Sequence, residues 1–164
     1  MSGDSIVTSS LGHKPEGKWK FDKSVSDCFD DMLERSVPLY HNTLDLIADM
    51  ASMHLRSGDT VLDVGVSQGS AVLRILNRLE EKGITNINVI GIDNSKPMLE
   101  VARNRLPSST QLIEHNLKDG IPMNCVMQKP RVILCLWTAQ FVPLEYREKL
   151  FNEMRMSVDD GGCL

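Results

Sequence analysis

Aromatic residues are scarce in this 164-residue chain: 5% of positions, with two tryptophans and two tyrosines. A core built mainly on ring packing is thereby excluded, and the nine methionines read as adaptable filler beside the aliphatic residues. Cysteine is sparse and scattered. Cys28, Cys125, Cys135 and Cys163 form no C-x-x-C pair, and His13, His41, His54 and His115 supply no matching ligand pair, which speaks against structural zinc. Such thiols fit a reducing cytosol, where they act as small hydrophobes, so a cytoplasmic location is expected. Positive charge is also short. A net charge of −4 argues against a free-standing nucleic-acid binder, whose affinity comes mostly from phosphate neutralisation by Lys and Arg, although a local basic patch stays open. No apolar run approaches the ~18 residues of a membrane span, and the N-terminus lacks an apolar signal core.

What is present suits one soluble domain. Apolar residues make up 41% and charged residues 24%. A chain this long buries roughly 70% of its unfolded surface and needs no metal or disulfide to hold a core. Residues 1–18, rich in Ser, Gly and Lys, read as a flexible arm, and residues 19–164 as a single domain. Within it, 19–56 is helical. Val25, Phe29, Met32 and Leu33 mark one helix face, Ser24 with Asp27 resembles a capping box, and Pro38 breaks the chain before a second helix over 40–54. That second helix has Leu44, Ile47, Met50 or Ala51, and Leu55 inward. From 57 onward strands and helices alternate: strands over 60–65, 87–93, 110–116 and 131–138, and helices over 70–83, 96–106 and 143–158, the last with Leu144, Leu150 and Met154 apolar. Alternation of this kind predicts an α/β, doubly wound, mostly parallel sheet. The closing Asp159-Asp160-Gly-Gly-Cys-Leu falls where a fifth strand would begin, so the fold is expected to be truncated there.

The segment Val61-Leu-Asp-Val-Gly-Val-Ser-Gln-Gly-Ser70 joins the first of those strands to its helix. In a doubly wound sheet this turn borders the ligand crevice, and an acid ending the second strand accepts bonds from ribose hydroxyls. Asp93, followed by Asn94, holds that position. The dinucleotide pattern G-x-G-x-x-G wants glycine at 65, 67 and 70 and finds it once; G-x-G-x-G wants 65, 67 and 69 and finds it twice, with Ser67 between. No lysine follows to make a phosphate-binding P-loop. A plain strand-to-helix turn, with a core-facing Asp63 and a surface Asp93, remains the alternative.

With these residues assembled, the chain resembles the class I S-adenosylmethionine-dependent methyltransferase superfamily, with its Rossmann-like fold, and within it the carboxy-S-adenosyl-L-methionine synthase family. Four stretches carry the resemblance from about Trp19 to Leu164: residues 21–40 with Arg35-Ser-Val-Pro38 and Tyr40, residues 61–73, residues 89–106 with Asp93-Asn-Ser95 and Pro97-Met98, and residues 138–154. The resemblance implies S-adenosyl-L-methionine, or its carboxylated or demethylated derivative, as ligand. It implies Tyr40 closing over the ligand from a helical cap, Gly65, Val66, Ser67 and Gly69 along its methionine part, Asp93 at the ribose, Asn94 near the adenine, and Asn116 and Leu117 flanking the ring. Leu136 stands where the family has a ligand-binding Asn, Val66 where it has Cys, and Asn116 where it has Asp. The implied reaction forms carboxy-S-adenosylmethionine from S-adenosylmethionine and prephenate, for tRNA wobble-uridine modification by another enzyme, with pairing into a homodimer and no direct RNA or membrane contact. A methyltransferase acting on a small molecule and a non-catalytic binding or assembly domain are the alternatives. Trp137 and Phe141 read as core packing rather than pocket wall, and His41 as structural.

Overall fold

Four parallel strands in the order β3-β2-β1-β4 form the centre of the computed structural model, which describes residues 21–164. The expected arm over 1–18 lies outside the described residues. The strands are β1 (Thr60–Val64), β2 (Asn88–Asp93), β3 (Gln111–Glu114) and β4 (Val132–Leu134). β1 is buried at all five positions, as a strand covered on both faces requires. Asp63 pairs in register with Gly91 of β2 and Leu134 of β4. The chain runs outward from β1 through β2 to β3 and then returns to the far side of β1. The strand order therefore reverses between β1 and β4, the place where such sheets open a crevice.

Helices cover both faces: α1 (Lys23–Ser36), α2 (Tyr40–His54), α3 (Ser70–Glu81), α4 (Lys96–Arg105), the short α5 (Met123–Val126) and α6 (Leu144–Ser157). Alternate strand residues decide the sides. Val61, Val132 and Leu134 meet Ala48, Ala51 and Leu55 of the α2 region and Ile75 and Leu79 of α3. Val89 and Val66 extend that layer to Leu99 and Ala102 of α4. Leu62, Ile90, Ile92 and Ile133 face the other way, onto Cys125, Leu150 and Met154. Each of the Val, Leu, Ile and Met side chains among these, fully buried, contributes roughly 1.5–3 kcal/mol.

Several local expectations are corrected. The cap of α1 is Asp22, whose carboxylate accepts from the Ser24 and Val25 amides, not the Ser24–Asp27 pair. Of the two residues left open on α2, Ala51 is the one that faces inward, and Met50 lies on the solvent side. Leu144 is 76% exposed: it opens α6, whose buried residues begin only at Leu150. β4 ends at Leu134 instead of running to 138: its partner β1 leaves the sheet at Gly65, and Trp137 takes a left-handed backbone with φ +52°. Beyond α6, Cys163 bridges in parallel to Val132 on the outer edge of β4. No described helix is long and apolar enough to cross a membrane.

Candidate functional site: a cavity at the strand-order reversal

Gly65 turns the chain over the carboxyl edge of the sheet. Its φ is +94°, and a Cβ there would lie 2.1 Å from Thr138 Oγ1, so both backbone conformation and space demand glycine. The amides of Gly65 and Val66 both donate to the Ile92 carbonyl, at 2.8 and 2.9 Å, which pins the loop to the end of β2. Ser67 (φ +50°) and Gly69 (φ +81°) repeat the left-handed conformation, so the backbone follows the 65, 67, 69 spacing even though a serine fills the middle position. A side chain there costs about 1–2 kcal/mol. The Ser67 amide offsets part of it by donating to Asp93 Oδ2 at 2.9 Å.

Asp93 is thereby both the end of β2 and an anchor for the loop. Its second oxygen accepts from the Ser95 amide at 2.8 Å. Burial pushes its pKa above the ordinary carboxylate value, and the backbone amides of Ser95, Ser67 and Asn94 pull it back. A carboxylate has lone pairs beyond those two bonds, so it can still accept from a ligand's hydroxyls. Asp63 differs. It is 3% exposed, its carboxyl has no hydrogen-bond partner among the described residues, and burial, followed by the charge of Asp93, raises its pKa from 3.8 to about 7. An acid of this kind, one residue before the turn and facing a cavity, is suited to a cationic group from outside the protein.

The first helix forms the roof. Phe29, Met32 and Leu33 of α1 point into the cavity, together with Phe21 just before the helix. The Phe21 ring meets Phe141 edge-on, with centroids 4.9 Å apart, and so spans from the β2 side to the loop after β4. Polar bonds hold the roof down. Ser95 Oγ donates to the Phe21 carbonyl at 2.5 Å, and the buried Gln68 amide donates to the Ser26 carbonyl at 2.6 Å. Arg105 donates to Asp30 at 2.9 Å and to Gln68 Oε1 at 3.3 Å. Tyr40 is buried, and its pKa is raised chiefly by burial, with the nearby Ser70 hydroxyl pulling it back.

The enclosed space is about 350 Å³, inside the ~300–1,000 Å³ usual for small-molecule sites. Tyr40, Gly65, Val66, Ser67 and Asp93 line it, as do Asn94, Asn116, Leu117 and Leu136. Gly69 does not. It caps α3, and its backbone is held against Leu106, where a Cβ would lie 2.8 Å from Leu106 Cδ1. Val66 reaches the cavity from below; its methyls fill the space beside Gly91 and pack with Val72, Val89 and Leu99, so an apolar residue suits the position. Asn116 Oδ1 accepts from the Lys118 amide at 3.1 Å and shapes the turn after β3. Trp137 and Phe141, read as core, instead line the cavity and are 37% and 53% exposed. His41 lies outside, paired with Glu34 at 2.9 Å.

Sequence reasoning also passed over Phe21, Phe29, Met32, Gln68 and Asp63 as site residues. The α1 stripe was visible but has the same periodicity as a core face. Asp63 gave the better signal, as an acid inside an apolar strand. No group of potential metal ligands occurs among the described residues.

A parallel α/β sheet with this cavity at its reversal point is the Rossmann-like architecture of class I methyltransferases. Solved relatives share it: an S-adenosylmethionine-dependent methyltransferase from Clostridium acetobutylicum (TM-score 0.60, 21% identity, 83% of this chain and 53% of that one), and the S-adenosylmethionine-bound amino pentose methyltransferase from Micromonospora echinaspora (TM-score 0.61, 17% identity, 89% and 55%). The methyltransferase domain model matches residues 61–162, and the chain belongs to that family. Among curated proteins it is similar to the carboxy-S-adenosyl-L-methionine synthases of Mannheimia succiniciproducens, 30% identical over the whole chain and 66% of that protein, and of Desulfotalea psychrophila, 34% identical over 92% of the chain and 60% of that protein. The chain thus spans just under two thirds of the length of these relatives.

Proposed function

We propose that this domain binds S-adenosyl-L-methionine and serves the formation of carboxy-S-adenosyl-L-methionine, with prephenate as the source of the carboxylate. The observation that carries the ligand assignment is the convergence of Asp93, the left-handed loop 65–69 and the unpartnered Asp63 on one cavity of suitable size. The fit is chemical as well as spatial. Asp93 accepts from ribose hydroxyls, the loop lets backbone approach the methionine part, and Asp63 meets the ligand's α-ammonium group. When bound, the ligand supplies an activated methyl group on a sulfonium. The protein's part is to orient it and exclude water beneath the α1 roof.

The likeness to the synthases over the full chain supports the reaction, and the product would feed tRNA wobble-uridine modification. Leu136 favours a second reading, a methyltransferase acting on a small molecule, because it puts an apolar group where the family resemblance implies an asparagine. Mass spectrometry of ligand released from purified protein, with calorimetry using added S-adenosylmethionine, tests both. Carboxylated ligand supports the synthase reading. Plain S-adenosylmethionine or its demethylated product supports the methyltransferase reading, and no binding at all overturns the ligand assignment.

A further inference from the structure

Trp137 carries three observations that core packing does not explain. It is a large apolar residue left 37% exposed at the cavity wall. It is held at φ +52°, a conformation that costs a non-glycine residue of order 1–3 kcal/mol and persists only where the surroundings over-determine it. The surroundings do so here: Thr138 Oγ1 donates to the Leu136 carbonyl at 3.0 Å, while the Thr138 side chain occupies the space a Gly65 Cβ would need. Finally, the strained turn brings the indole to Tyr40, with ring centroids 5.6 Å apart and planes tilted by 39°.

The charges around this pair favour a cation. Of the charged side chains that line the cavity among the described residues, Asp63 and Asp93 are acids and Lys118 is the base. Lys118 belongs to the turn after β3, and its ammonium lies 6.0 Å from the Tyr146 ring centroid. Trp137 follows β4 and precedes Thr138, whose side chain packs on Gly65, at the sheet reversal where the ligand's methionine part is assigned. An indole face attracts cations through its ring quadrupole, more strongly when water is excluded.

We propose that Trp137, supported by Tyr40, is a specificity-determining residue that selects the positively charged sulfonium over the neutral thioether. This rests on the S-adenosylmethionine reading above. Its consequence is that ligands keeping the sulfonium, S-adenosylmethionine and its carboxylated form alike, are held more tightly than the demethylated thioether.

The test measures affinity for S-adenosylmethionine and for S-adenosylhomocysteine by calorimetry, in the wild type and in Trp137→Leu, Trp137→Met and Trp137→Phe, with thermal melts to establish folding. Loss of the ring should weaken S-adenosylmethionine binding by about 3- to 30-fold while leaving S-adenosylhomocysteine within about twofold, and Phe should restore most of the preference. The Met variant gives the same comparison if the Leu variant does not fold. An equal loss for both ligands, or an unchanged ratio, overturns the proposal and leaves the cofactor reading intact. Absence of binding by the wild type overturns the cofactor reading itself.

Discussion

Replacing Asp63 with Asn should stabilise this protein above neutral pH, although the residue is buried in the central strand. Burial, followed by the neighbouring Asp93, lifts the Asp63 pKa from 3.8 to about 7. In the unfolded chain the carboxyl ionises near the ordinary value of ~3.9. Between the two values the folded state holds a proton that the unfolded state has lost, so stability falls as pH rises. The decline begins near pH 4 and is complete a little above 7. At 1.36 kcal/mol per pH unit, that rise corresponds to about 4 kcal/mol, and to about 2 kcal/mol where cavity water solvates the ionised carboxylate. Asn keeps the shape and cannot ionise, so it removes the cost. Urea unfolding of wild type and Asp63→Asn, followed by tryptophan fluorescence from pH 4 to 8.5, gives the difference between the two, in which the other titrating groups cancel. The difference should be near zero at pH 4 and reach about 2–4 kcal/mol in favour of Asn by pH 8. A difference that does not change with pH, or a variant less stable at pH 8, refutes the reasoning. On the proposed ligand reading, the same variant should bind S-adenosylmethionine more weakly at pH 8, since it lacks the charge assigned to the ligand's ammonium, so stability and binding move in opposite directions.

Gly65→Ala meets both a φ of +94° and Thr138 Oγ1 at 2.1 Å, whereas Gly58→Ala meets a similar φ of +93° with nothing within 4 Å. Thermal melts should therefore place the first at a loss of about 3 kcal/mol or more and the second at about 1–2 kcal/mol; equal losses would sink the close-approach account. Leu39 holds φ +56° ahead of α2 while 73% exposed, so Leu39→Gly relieves strain without emptying a packed site. After the added freedom of the unfolded chain is deducted, a gain of about 0.5–1 kcal/mol is expected in urea unfolding, and a loss would count against strain at that position.

The features readable in the chain are those set by neighbours in sequence. The start of α2 at Tyr40 follows from Pro38, and that of α4 from Pro97 in its first turn, because prolines act within one turn. The G-x-G-x-G spacing with Asp93 pointed to the cavity, since a loop that needs repeated left-handed residues restricts which side chains can stand there. Tertiary structure decided the rest. Periodicity gives a helix an apolar face but not what that face meets, so α1 could not be known as a roof over the cavity rather than a core helix. β4 was overextended for a related reason: its end is set by where β1 departs, and the run from Cys135 to Trp137 carries no local stop. Most clearly, the environment of Asp63 and the exposure of Trp137 arise from β1, β4 and α2 meeting at one edge of the sheet. Desolvation and ring placement depend on every element that closes around a residue, and those elements are distant in sequence.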